Sequence, residues 1–191
     1  MNWDYPHAHI LPVTPEPGDI DGLQHTNNAV YVHWCEHIAW HHSATLGLDL
    51  DDYRRLDRAM AIRRGEYDYL LPTRAGEALT LATWLCASDG RSSMERRFQL
   101  IRDSDGATVV RGRWDLICIE LSSGRARRLP PEFLAVYEPA IVAAAASSVA
   151  RAAVLRAVRR RCGAFLAPPQ CNMHFAPDLP VHALESATSA P

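Results

Sequence analysis

The chain of 191 residues contains no lysine; its 20 side chains of fixed positive charge are all arginine. A Schiff-base lysine and a P-loop are thereby excluded, and any contact to phosphate falls to guanidinium forks or backbone amides. Cysteine is sparse, with Cys35, Cys86, Cys118, Cys162 and Cys171 never spaced as CxxC. That odd, scattered set fits free thiols in a reducing compartment better than a disulfide framework. The opening MNWDYPHAHI has neither the basic nor the apolar segment of a secretory leader. No uninterrupted apolar run approaches the roughly 20 residues of a bilayer-spanning helix. Together these absences predict a cytoplasmic protein with no membrane partner. G-x-S-x-G and GxGxxG are missing as well, which removes a serine elbow and a dinucleotide or phosphate loop. The formal net charge of −2 argues against a nucleic-acid partner.

What is present is an ordinary globular balance, 48% hydrophobic and 22% charged, in a chain long enough for one full core. His7 to Thr14 reads as a first strand, stopped by prolines. A helix is expected from Asn28 to about Leu46, with Gly47 as its terminating residue. Its stripe Tyr31, Trp34, Cys35, Ile38 and His42 recurs at three- and four-residue spacing. Asp51 to Ala59 reads as a polar connector with a turn or two of helix. Four strands follow, roughly Ile62 to Leu70, Ala78 to Ala87, Ser93 to Arg102 and Thr108 to Leu121. Short turns at Ser88-Asp89-Gly90 and Asp103 to Gly106 make the last three an antiparallel meander. The layout is α+β, a long helix wrapped by an antiparallel sheet. Arg125 to Pro131 leaves the sheet, Pro130-Pro131 breaks it, and the domain closes near 138. Beyond it, 139–162 is Ala-rich with arginines at its end, as a helix prefers, and 163–191 has the composition of a flexible tail.

The stretch from Asp19 to Tyr31, DIDGLQHTNNAVY, concentrates the polar chemistry. Asp19 and Asp21 sit on a loop entered through Pro15, Pro17 and Gly18, and Asn27 or Asn28 suits the N-cap of the helix. Two readings stand. The loop can serve only to build a turn and cap a helix. Alternatively, a carboxylate faces the positive pole of the helix, half of a hydrolytic site whose other half is a carbonyl oxygen held on free N–H groups. His25 could orient a carboxylate or the substrate. A competing constellation, His33-Trp34-Cys35-Glu36-His37, matches the H-x-x-E-H pattern of inverted zinc peptidases. It needs a third ligand on a downstream helix, and the region that should supply it reads as strands.

Asp19 to Tyr31 resembles the D-x-D-x-x-G-H-x-N-N-x-x-Y signature of hotdog-fold acyl-CoA thioesterases of the 4-hydroxybenzoyl-CoA thioesterase type. YVHWCEHIAWHHSATLG is similar to that family's central helix, RRGEYDYLLPTRAGEALTL to its following strand pair, and RARRLPPE to the end of its last strand. The resemblance spans about Val13 to Val136. It implies a single hotdog domain, a homodimer or homotetramer with sites at the subunit interface, and no metal or cofactor. It also implies Asp21 as nucleophile or general base, Asn28 as the backbone donor to the carbonyl oxygen, and His25 in support. Asn27 and Tyr31 would border the substrate, and Arg91, Ser92 and Ser93 would either meet CoA phosphates, by analogy with the family's turn between its third and fourth strands, or form a solvated hairpin turn. Gln24 stands where many members have Gly, so the loop is expected to lack a conformation that only Gly adopts freely. The Q-H-x-N-N form is similar to acyl-acyl-carrier-protein thioesterases, which usually have Asn where Leu23 stands, so the carrier stays open. A hotdog lyase and a non-catalytic acyl-binding subunit are the alternatives outside hydrolysis.

Overall fold

In the computed structural model, which describes residues 1–142, the alternation of apolar and polar residues from Leu79 onward has become a sheet. Its strands are β1 (His9–Val13), β2 (Arg58–Tyr69), β3 (Leu79–Ser88), β4 (Ser93–Arg102) and β5 (Thr108–Glu120). Every pairing is antiparallel and the spatial order is β1-β3-β4-β5-β2. On one face Leu79, Leu81, Leu85, Met94, Phe98, Leu100, Trp114 and Leu116 are buried, at the two-residue period of a strand packed on one side. Gly112 on β5 lets the Phe98 ring pack close, since a Cβ there would lie 3.2 Å from the ring and would ask it to shift by a few tenths of an ångström.

The helix α1 (Asn28–Thr45) buries Tyr31, Cys35 and Ile38 in the same core, and Ser43 is buried near its end. It ends in a Schellman motif. Gly47, at φ 100°, donates to Ala44 and Leu48 donates to Ser43, which satisfies carbonyls the helix leaves open and turns the buried Leu48 inward. Asp49 caps the short α2 (Leu50–Leu56) through the N–H groups of Asp51 and Asp52. Asp57 then takes a left-handed φ of 51°, and β2 begins at Arg58, four residues before the sequence pattern suggests.

Two further departures have clear causes. The segment RARRLPPE does not continue the last strand. β5 stops at Glu120, and the chain folds back so that Glu120 N–H donates to Arg125 and Arg127 N–H to Cys118. After the prolines comes α3 (Pro131–Tyr137), absent from the sequence reading and held by the buried Phe133 and Tyr137. Residues 1–8 also take part: Trp84 Nε1 donates to the Pro6 carbonyl, and Gln99 Nε2 to that of Asn2. Of the expected C-terminal helix over 139–162, Glu138–Ala140 form a 3₁₀ turn and Ile141 pairs with Leu85. The rest of that helix and the tail over 163–191 lie outside the described residues. Among the described residues, no helix is long and apolar enough to cross a membrane.

Candidate active site

The polar stretch before α1 is a loop closed on itself. Asn27 N–H donates to the Asp19 carbonyl at 2.8 Å, Ile20 bridges Thr26, and Asp21 N–H donates to the His25 carbonyl at 2.8 Å. Asp21 and His25 therefore face each other at the tip. Asp19 builds the base, its Oδ2 accepting the Glu16 N–H at 2.9 Å. Asp21 uses its carboxylate unevenly: Oδ1 accepts the N–H groups of Leu23 (2.8 Å) and His25 (3.3 Å). Oδ2 has no hydrogen-bond partner among the described residues.

Gln24 corrects an expectation. It adopts φ 63°, the left-handed conformation that glycine supplies elsewhere, and its N–H closes the turn onto the Asp21 carbonyl at 3.0 Å. The backbone bonds around Asp21 hold the loop there although a side chain at that φ costs about 1–2 kcal/mol.

At the start of α1, Asn27 is the N-cap, its Oδ1 accepting the Ala29 N–H at 2.9 Å. Val30 N–H is taken by the Asn27 carbonyl. The Asn28 N–H has no acceptor among the described residues, so it remains as a donor at the positive pole of the longest described helix. Tyr31 does something other than border an open cleft. It is 4% exposed, and its hydroxyl bonds Thr73 Oγ1 at 2.7 Å. Thr73 also bonds the Thr26 hydroxyl at 2.7 Å and accepts the Thr26 N–H at its carbonyl. Three buried hydroxyls thus pin the loop to the connection between β2 and β3.

The turn between β3 and β4 is organised by Asp89, whose Oδ1 accepts the N–H groups of Arg91, Ser92 and Ser93. Those bonds hold the Asp89 carboxyl down at about 2. The backbone amides are therefore spent, and Ser93 also turns its hydroxyl to Asp89. Arg91 and Ser92 line a surface hollow with Arg127 and Arg128, two basic residues the sequence reading did not single out. His33, Glu36 and His37 are all exposed on α1. Among the described residues, no three histidine, cysteine, aspartate or glutamate side chains cluster as metal ligands would.

A cavity of about 250 Å³ opens between the second half of α1 and the sheet. Met60, Ile62, Leu85, Met94, Trp114 and Leu116 make it apolar, and its polar end holds Ser43, Tyr53, Arg96 and Tyr137. Arg96 is 3% exposed. Its signal was available in the sequence, because Met94, Arg96, Phe98 and Leu100 share the inward phase of β4.

No match is found among curated proteins. Among solved structures, a probable thioesterase from Escherichia coli, YbaW, aligns at 20% identity and TM-score 0.59, over 69% of this chain and 98% of that one. A 1,4-dihydroxy-2-naphthoyl-CoA thioesterase from Synechocystis aligns at 15% identity and TM-score 0.60, over 68% and 95%. A hypothetical protein from Staphylococcus aureus, solved in complex with CoA, aligns at 15% identity and TM-score 0.62, over 92% and 99%. These likenesses are of fold. The model of the thioesterase-like superfamily matches residues 15–137, from the proline before the acidic loop to the end of α3. With that span covered and an antiparallel five-stranded sheet packed on α1, the chain belongs to the thioesterase-like superfamily, the family of the hotdog fold.

Proposed function

We propose that the protein hydrolyses an acyl-CoA thioester to the free acid and CoA. The observation that carries this reading is the divided use of Asp21. One carboxylate oxygen is fixed by two backbone N–H groups, and the other is open on the loop that leads into the unspent Asn28 N–H. Geometry held by backbone bonds costs nothing to organise during the reaction. Asp21 Oδ2 takes a proton from water as the water oxygen bonds to the thioester carbon. The carbonyl oxygen, now an oxyanion, is held by Asn28 N–H. Collapse breaks the carbon–sulfur bond, and the departing thiolate takes up a proton. Direct attack by Oδ2, through an anhydride that water then opens, uses the same groups.

His25 supports the loop tip opposite Asp21. In this reading Asn27 and Tyr31 act through the loop, the first as cap and the second as its anchor. Arg91, Ser92 and Arg128 offer side chains to the phosphates of the CoA nucleotide in a hollow they line with Asp89 and with Arg127, whose guanidinium is held by Glu120. Ser93, committed to Asp89, contributes the shape of the turn. No metal or cofactor takes part. The assembly is a homodimer or homotetramer. Its support is the length of β2, which has one strand neighbour in the described sheet and leaves Ile62 49% exposed.

Thiol release measured over a panel of acyl-CoA and acyl-carrier-protein thioesters tests the reading. Turnover of acyl-CoA is expected. Turnover confined to acyl-carrier-protein substrates moves the carrier assignment, and saturable acyl-CoA binding with no thiol release makes the protein a binding subunit. If cleavage survives Asp21→Asn but not His25→Ala, the histidine is the base and the proposed mechanism fails.

A further inference from the structure

Arg96 stands at the polar end of the 250 Å³ cavity with only part of its guanidinium in use. Nη1 donates to His42 Nδ1 at 3.1 Å and to Thr83 Oγ1 at 3.2 Å, whereas Nε and Nη2 have no acceptor among the described residues. That free edge is not sealed into protein. Among the described residues the one side-chain polar atom both enclosed and unpaired is Arg58 Nε, so the Arg96 edge opens onto the cavity. Its charge is also uncompensated. Burial lowers the pKa of Arg96, and the side chains acting against that are Tyr137, Tyr53 and Cys86, with no carboxylate among them. Burial raises the Tyr53 phenol and pushes the Cys86 thiol up to about 12, so neither supplies an anion. Burial, then the Arg96 charge itself, pulls the His42 imidazole down to about 3, so it is neutral. Glu36, the carboxylate that lines the cavity, is exposed on α1, about 10 Å of helix rise before Ser43. A guanidinium does not deprotonate in a protein, and a buried cation is costly until an anion reaches it.

This cavity is separate from the acidic loop. Asp21, His25 and Asn28 do not line it, and α1 rises about 20 Å between Asn28 and His42. A short acyl chain held at the loop does not reach Arg96, so the occupant is a molecule bound on its own. We infer that the cavity binds a free monocarboxylic acid with a compact apolar body, its carboxylate on Nε and Nη2 of Arg96. The same edge of the guanidinium takes a carboxylate elsewhere in this protein: Arg111 holds both oxygens of Asp4 through Nε and Nη2, and Arg127 holds those of Glu120. Met60, Leu85, Met94 and Leu116 cover the apolar body, which gives the apolar walls and few convergent polar groups of a ligand site. A dry cavity of ~150 Å³ holds a benzene ring, so this one has room for a six-membered ring bearing a carboxylate. Glu36 at the rim repels a second carboxylate at the outer end and thereby favours a monoacid. The assignment does not depend on thioester hydrolysis.

Calorimetric titration of the full-length protein with cyclohexanecarboxylate and with its neutral isostere, cyclohexanecarboxamide, tests the site. The carboxylate is expected to bind about tenfold more tightly than the amide, as a charge-assisted pair does, and to raise the melting temperature by a few degrees near saturation. Arg96→Gln should bring the carboxylate down to the affinity of the amide. Ala39→Leu fills the cavity from α1 with Arg96 left in place and should remove the binding of both, which keeps the location testable even where the Arg96 variant fails to fold. Equal affinity of the wild type for acid and amide, or no binding of either, overturns the site. Binding that persists in Ala39→Leu, or that is lost in Asp21→Asn, puts the acid elsewhere and overturns it as well. A folded Arg96→Gln protein that loses acid and amide alike shows a merely structural arginine and overturns the carboxylate contact.

Discussion

The two ends of α1 are built by opposite means. At its N-terminal end, the tip of the loop is held by backbone bonds within a few residues, the Asp21 carboxylate accepting from N–H groups two and four positions away, and only the loop's base is tied to a distant residue, Thr73. Toward its C-terminal end, the polar groups are held by side chains from α1, α2, β3, β4 and α3. There Arg96 meets His42 across 54 positions, and Tyr137 meets Ser43 across 94. A loop organised by its own backbone tolerates changes of side chain and keeps its shape. A cluster assembled across the fold depends on every element that feeds it, so chemistry and stability are separable at the first end and joined at the second.

Asp21→Asn is the sharpest way to break that contrast. Asparagine keeps an oxygen to accept the Leu23 and His25 N–H groups but loses the open carboxylate oxygen. Thioester hydrolysis should fall by about 10² to 10⁴ with the melting temperature nearly unchanged. A large drop in melting temperature would show that the loop is not self-supporting. Phe133→Ala reverses the pattern. Phe133 is fully buried against Tyr53 and Tyr137, at ring distances of 4.8 and 5.7 Å. Its removal should cost about 3–5 kcal/mol in denaturant unfolding and loosen the Arg96 end.

The same asymmetry appears in pH dependence. His42 has its pKa depressed to about 3, and His9, stacked on it, is depressed as well, in both cases chiefly by burial. The unfolded chain therefore binds more protons than the folded one below the ordinary histidine range near 6.5. Stability from this cluster is complete above about pH 6.5 and is lost progressively as pH falls toward 3. His42→Gln keeps an acceptor for Arg96 without titrating and should flatten the fall in melting temperature between pH 7 and 5. The smallest effect belongs to the loop: Gln24→Gly relieves the left-handed strain at the cost of added chain entropy, for a net gain of under about 1 kcal/mol. Calorimetry should show a rise of a few degrees at most.

The same division decided what the sequence could disclose. Asp19, Asp21 and Asn27 lie within one short stretch, and each makes bonds that its residue type announces, the aspartates closing turns and the asparagine capping α1. The turns at Gly47, Asp89 and Asp103 were legible for the same reason, as were all five strands to within a few residues. Tyr31 is the exception inside that stretch, because its partner Thr73 arrives from a different connection. α3 was hidden by two prolines that stop a sheet and start a helix equally well. The Arg96 end was hidden because Ser43, Tyr53, Arg96 and Tyr137 are each unremarked where they stand in the chain. Only the alternation across Met94, Arg96 and Phe98 placed one of them inward.

Thr73 gives the acidic loop a property its exposure conceals. Arg102 donates to the adjacent Pro72 carbonyl, and Gly76 N–H donates to Pro15. The connection carrying Thr73 is thereby tied at both sides. The Thr26 and Asn27 amide protons, bonded to Thr73 and Asp19, can exchange with solvent only when this whole corner opens together, whereas the Asn28 proton exchanges freely. On a hydrogen-exchange time course the three consecutive amides should separate into two slow protons and one fast one, the fast one being the donor assigned to the carbonyl oxygen in the proposed mechanism.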